Sequence, residues 1–189
     1  MDQTIRLWNL NGEFIREIGK HDDGVSAVAF SPDGTKILTA SWDKVARLWD
    51  LDGNILVQLE GHTDQIHSAV FSPDGSQILT GSGDKSIKLW DVDGTVLLEI
   101  NDQPDIVSTV AFSPDGSRIL TAALSHSARL WDLNGNMLQE YPGLIVTVAF
   151  SPDGSQILVG SGETVQLWDG VMNLDEFLQS GRIDELTKD

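Results

Sequence analysis

The chain writes one segment four times in 189 residues: FSPDGTKILTASWDKVARLWD from Phe30, FSPDGSQILTGSGDKSIKLWD from Phe71, FSPDGSRILTAALSHSARLWD from Phe112 and FSPDGSQILVGSGETVQLWD from Phe150. The tetrapeptide SPDG begins at Ser31, Ser72, Ser113 and Ser151. Tryptophans of an LW(D/N) motif fall at Trp8, Trp49, Trp90, Trp131 and Trp168, with gaps of 41, 41, 41 and 37 residues. That period is too long for a leucine-rich horseshoe or for the paired helices of ankyrin and tetratricopeptide arrays.

Within one period the pattern is that of short strands. Val25 to Phe30, Lys36 to Ser41, Val45 to Trp49 and Ile55 to Leu59 are mostly rich in branched and aromatic residues and are split by turn signals. In SPDG, proline presets φ, aspartate tolerates the bridge region and glycine takes the positive φ that closes a hairpin. DLDGN, DVDGT and DLNGN supply a second tight turn after Trp49, Trp90 and Trp131. The period therefore predicts a four-stranded antiparallel meander. In DKSIKLW, Ile87 and Leu89 face one way while Lys88 and Trp90 face the other, so both sides carry large side chains. Stacking sheet on sheet around an axis covers both, and the fold class that follows is all-β: propeller blades, each the wall of its neighbour.

Gly61 to Asp91, GHTDQIHSAVFSPDGSQILTGSGDKSIKLWD, resembles a nearly complete WD-repeat motif, from its Gly-His pair to its Trp-Asp pair. The resemblance runs from about Asp2 to Asp169. It implies a β-propeller in which strand d of one blade precedes strands a, b and c of the next. It also implies a hydrogen-bonded network of His, Ser or Thr, Asp and Trp in each blade. Carried onto this sequence, the network is His62, Ser82, Asp84 and Trp90 in one copy. In another it is His21, Ser41, Asp43 and Trp49, with Lys20 where the family has glycine. The third copy has Gln103, Ala123 and Ser125 at the matching positions and keeps Trp131, while the fourth lacks the histidine.

These alignments divide the chain into a propeller segment, residues 1–170, and a tail, residues 171–189. The segment is a half-blade over residues 1–20 followed by repeats from about residues 21, 61, 102 and 141. The expectation is an incomplete ring of about four to five blades belonging to a longer WD-repeat protein, since seven such periods take roughly 290 residues. In the tail, Asn173 and Glu176 resemble a capping box, and Leu174, Phe177 and Leu178 share one face of a short expected helix. An open arc exposes blade faces at Ile5, Leu7 and Leu167, so the isolated chain is expected to self-associate.

Composition narrows the function. A net charge of −17, with 12 scattered basic residues, works against nucleic acid as a partner. No apolar run reaches the ~20 residues of a membrane span. The absence of cysteine fits a reducing, cytoplasmic setting. The four histidines, His21, His62, His67 and His126, are not spaced as zinc ligands. The pairs Asp50/Asp52 and Asp91/Asp93 sit in hairpin turns rather than calcium loops. Gly81-Ser82-Gly83 lacks the spacing of a nucleophile elbow. Arg6, Arg47, Lys88 and Arg129, each two residues before a tryptophan, read as stems packed on that ring with cation–π contact. No cofactor, metal or catalytic residue is called for.

The reading is a non-catalytic scaffold for protein–protein interaction. Its alternative is a ligand-binding or enzymatic propeller that uses the central channel, lined by VSAVAF, IHSAVF, VSTVAF and IVTVAF. The resemblance implies that partners dock on the end formed by the b–c and d–a loops, opposite SPDG, so partner-binding residues are sought there. Trp42 stands there where later copies have Gly83, Leu124 and Gly162, and an aromatic on such a rim is the residue type most enriched at hot spots. A Trp42 folded over its own blade is the competing reading. His67, Leu124 and His126 are weaker choices on the same end.

Overall fold

The computed structural model describes residues 2–101, 103–124, 126–162 and 164–169. All regular structure among them is β, in seventeen strands forming five antiparallel sheets. The first sheet pairs β1 (Thr4–Trp8) with β2 (Phe14–Lys20). Next comes β3 (Val25–Phe30), β4 (Lys36–Ser41), β5 (Ala46–Asp50) and β6 (Ile55–Leu59). The third sheet is β7 (Ile66–Phe71), β8 (Gln77–Ser82), β9 (Ile87–Asp91) and β10 (Val96–Ile100). The fourth is β11 (Val107–Phe112), β12 (Arg118–Ala123), β13 (Ser127–Asp132) and β14 (Met137–Pro142). The last is β15 (Ile145–Phe150), β16 (Gln156–Ser161) and β17 (Val165–Asp169). Each sheet is a meander in chain order, so every connection is a hairpin or a step to the next blade. The helix expected in the tail lies outside the described residues.

The turns follow from their side chains. In SPDG the Ser31 hydroxyl donates to Asp33 Oδ1 at 2.6 Å and accepts from the Lys36 N–H at 2.9 Å. Gly34 at φ +71° completes that turn. At the β5–β6 hairpin, Asp50 Oδ1 accepts the N–H groups of Asp52 and Asn54 at 2.9 and 2.8 Å.

Blades stack through their inner strands. β7 packs on β3 and β4, β11 on β7 and β8, and β15 on β11 and β12. Leu38, Ile66, Ile78 and Trp90 belong to one interblade core, and Leu79, Val107, Ile119 and Trp131 to the next. In the complete blades the middle strands are buried on both faces, as their large side chains demand. Small residues let neighbouring blades approach: a Cβ on Gly81 would lie 2.5 Å from Val107 Cγ1. One expected apolar exposure is corrected. Ile5 is buried against Ile18, Ile37 and Trp49, whereas Leu167 is exposed.

Candidate functional site: blade networks and the loop end

The polar centre of the second complete blade lies where the loop before β7 meets β8 and β9. Trp90 is on β9 opposite Ile78, so its indole reaches diagonally to Thr80, two residues along β8. Its N–H donates to Thr80 Oγ1 at 2.9 Å. Thr80 Oγ1 lies 2.8 Å from His62 Nε2, and His62 Nδ1 lies 2.9 Å from Asp84 Oδ2. Donor and acceptor capacity fixes the order. A carboxylate only accepts, so His62 Nδ1–H donates to Asp84, the Thr80 hydroxyl donates to Nε2, and its oxygen takes the indole proton. The histidine is then neutral, and burial above all pushes its pKa below 6.5, with Asp84 opposing.

The first complete blade repeats this arrangement. Trp49 donates to Thr39 Oγ1 at 2.8 Å, which lies 2.7 Å from His21 Nε2, and His21 Nδ1 is 2.9 Å from Asp43 Oδ2. Arg47 adds a contact to His21 Nδ1 and a 2.8 Å ion pair to Asp43. Burial raises the pKa of Asp43, yet the Asp22 N–H, His21 and Arg47 outweigh it and bring the carboxyl down to about 2.

The serines assigned to these networks do other work. Ser82 Oγ donates to Asp64 O at 3.0 Å and accepts the Asp84 N–H at 3.2 Å. Ser41 likewise contacts Asp23 O and accepts the Asp43 N–H. Both close the b–c turn, while Thr39 and Thr80 are the hubs. The reason is reach: Ser41 is four residues along β4 from Ile37, the partner of Trp49, and Thr39 only two. A hydroxyl recurring in ILT two residues before the serine was the available signal.

The third blade keeps more than its tryptophan. Trp131 donates to Thr121 Oγ1 at 3.1 Å. Gln103 fills the histidine slot, buried, with both amide atoms unpartnered. In the fourth blade Val159 replaces the threonine, and Tyr141 occupies the histidine slot. Tyr141 stands ten residues before Ser151, the spacing that separates His62 from Ser72. Its ring meets Trp168 edge-on at 5.4 Å, as His62 meets Trp90 at 6.3 Å. With no threonine hydroxyl there, Tyr141 Oη is buried without a partner and Trp168 turns to Gln166 Oε1 at 3.3 Å.

The basic residues before the tryptophans pair with acids and amides rather than resting on the rings alone. Lys88 Nζ meets Glu99 at 2.7 Å, Arg129 Nε meets Glu140 at 2.9 Å, Arg47 Nε donates to Gln58, and Arg6 pairs with Asp2. A Cβ on Gly61 would lie 3.5 Å from the Trp90 ring and 3.9 Å from the Lys88 stem.

Thr80, His62 and Asp84 stand in the order of a nucleophile, base and carboxylate. Thr80 is 0% exposed and its oxygen already holds the Trp90 proton, so no reacting carbon reaches it. Among the described residues no group of three His, Asp or Glu side chains converges to hold a metal. No helix among them is long and apolar enough to cross a membrane.

On the loop end, Trp42, Gly83 and Leu124 hold equivalent places. Their N–H groups donate to Gly24, Gln65 and Ile106 carbonyls at 2.9, 2.8 and 2.8 Å. Trp42 is half-buried, with its indole N–H buried and unpartnered, so its ring leans on its blade while part of it faces solvent. His67 is half-buried beside Gly83, and burial pushes its pKa down. Leu124 is half-buried, whereas His126 is exposed, 3.5 Å from Asp105 Oδ2. Lys85, in the left-handed region at φ +65°, approaches Asp105 from the other side at 3.8 Å.

Residues 1–169 match the family described as the IFT122 first beta-propeller. Four-stranded meanders stacked through their inner strands, with SPDG and LWD at fixed places in each, agree with that match. The chain belongs to this WD-repeat β-propeller family.

Proposed function

We propose that the chain is a non-catalytic scaffold that docks a protein partner on the end formed by its b–c and d–a loops. The observation that carries the reading is the division of labour between buried and exposed groups. The His–Asp pairs are consumed inside their blades, while the equivalent turn positions on the loop end vary from Trp42 to Gly83 to Leu124. A framework kept constant while its rim changes suits recognition, in which a few aromatic and apolar anchors carry the energy. Trp42 is the leading anchor, with His67, Leu124 and His126 around it. The cytoplasm is the setting proposed for it, and the acidic surface disfavours nucleic acid.

The test is capture with the chain as bait, repeated with Trp42→Ala and with Asp74→Ala on the opposite end. Binding of the captured partner should fall about thirtyfold for Trp42→Ala, roughly 2 kcal/mol, and hold for Asp74→Ala. Equal loss in both, or loss in neither, contradicts this placement.

A further inference from the structure

We propose that Asp64, His67 and Gly83 form a slot on the loop end that receives an arginine side chain of the docked protein, an inference that rests on that end being the docking face. Three departures from the repeat meet there, in a blade with complete four-stranded blades on both sides. The first is Gly83. Trp42 and Leu124 stand at the equivalent turn positions, and the three turn N–H groups make the same bond, so the backbone is shared and only the side chain is missing. A Cβ on Gly83 would lie 3.2 Å from Asp64 Oδ2 and 3.4 Å from His67 Nε2. One carboxylate oxygen and one ring nitrogen therefore flank the place that the side chain leaves open.

The second departure is His67. The register of β7 against β8 shifts between Ile66 and Ser68, so His67 is the extra residue of a bulge, the kind of irregularity that re-aims a side chain. The same shift recurs around Ser26 and Ser108, whose hydroxyls donate to the Ile66 and Val146 carbonyls of the next blade. His67 has no such bond. Among the described residues its ring makes no hydrogen bond, and its nitrogens are not sealed from solvent. The third departure is Asp64. Its Oδ1 accepts the Gln65 N–H at 2.8 Å, which leaves Oδ2 free. Asp105, its equivalent in the next blade, has His126 at 3.5 Å and Lys85 at 3.8 Å. Asp64 has no cation within 4.0 Å among the described residues, because Lys44, the counterpart of Lys85, donates to Thr63 O at 2.8 Å instead.

The slot thus offers an uncompensated negative charge. Beside it is a ring that burial holds neutral, with a lone pair on Nε2 in the Nδ1–H tautomer. Both groups accept, so the fitting ligand donates twice and carries positive charge. A guanidinium does both, since its planar fork holds five N–H donors and no acceptor. A lysine ammonium satisfies the carboxylate as a point charge but lacks the fixed fork that spans two acceptors. The acidity of the chain, −17 overall, draws such a group in.

The probe is N-acetyl-arginine amide, whose ends carry no charge, titrated into the whole chain and followed at the Gly83 amide and the His67 ring by NMR. N-acetyl-lysine amide and the citrulline analogue, which keeps the shape without the charge, are run beside it. Saturable shifts at both residues are expected with the arginine probe, weaker binding with the lysine probe and none with citrulline. Asp64→Asn, which keeps an oxygen for the Gln65 N–H, should weaken the arginine probe by about tenfold or more. Gly83→Leu, which copies the turn at Leu124, should abolish binding, and Asp23→Asn, the same change in the preceding blade, should leave it intact. An absence of shifts at Gly83, equal binding of the lysine or citrulline probe, or equal loss in Asp23→Asn overturns the proposal. The captured partner separates this result from the docking reading. If Trp42→Ala weakens that partner while the arginine probe fails, the loop end stands and the slot falls. If the probe binds but the partner ignores Trp42→Ala, the chemistry of the slot stands and its part in docking falls with that reading.

Discussion

Replacing Thr80 with valine changes one hydroxyl to a methyl at nearly constant volume, and the structure says how much that hydroxyl holds. Thr80 has no exposure and Trp90 is 1% exposed, so water cannot replace what is lost. The Trp90 indole N–H, now 2.9 Å from the oxygen, and His62 Nε2, at 2.8 Å, are both left without a partner. An orphaned buried group costs about 1–3 kcal/mol, so with two of them Thr80→Val should destabilise by roughly 2–6 kcal/mol. Thr121→Val is the internal control. It orphans only the Trp131 N–H, whose bond is longer at 3.1 Å, and should cost about 1–2 kcal/mol. Urea unfolding followed by tryptophan fluorescence gives the two values, with the slopes compared because stacked repeats can lose cooperativity. Hydrogen exchange at the Trp90 indole reports the site directly and should quicken in Thr80→Val. Equal costs for the two variants would refute the hub assignment.

Two further outcomes follow from the same geometry. His62→Ala strands Thr80 and Asp84 and should cost about 1–3 kcal/mol, whereas Gln103→Ala removes an amide already without partners and should cost far less, as urea midpoints will show. Acid should weaken the fold in two steps, read from melting temperature against pH. Burial holds His21 and His62 below 6.5 when folded, so their contribution is complete above about 6.5 and declines as pH falls beneath it. Asp43 and Asp84, at about 2 against an ordinary 3.8, keep theirs above 3.8 and lose it as pH falls toward 2. A melting temperature unchanged from pH 8 to pH 4 would contradict the neutral, buried histidines.

The strands were legible almost residue by residue. Three of the four segments read from one period coincide with β3, β4 and β6. The fourth starts one residue late, at Ala46, because the Val45 N–H is taken by Asp43 Oδ1 in the turn. Alternation and turn residues are local, so the sequence carries them openly. The network hubs were not legible for the opposite reason. Thr39 and Ser41 lie on the same face of β4, and only the register of β4 against β5 decides which one the Trp49 indole reaches. Tyr141 hid behind its changed identity, although its distance to the next SPDG was kept. The basic residues before Trp49, Trp90 and Trp131 misled because each has a partner on strand d, on β6, β10 and β14, eleven residues further along the chain. Trp42 stays divided as its sequence position suggested: half-buried, with the indole N–H turned inward.

Hydrogen exchange on the chain bound to its captured partner tests the scaffold reading most directly. Amides of Trp42, Gly83 and Leu124, and of the loops before β3, β7 and β11, should slow on binding, while the turns at Asp33, Asp74, Asp115 and Asp153 remain unchanged. Protection confined to the SPDG turns, or to the inner strands that line the channel, would contradict it.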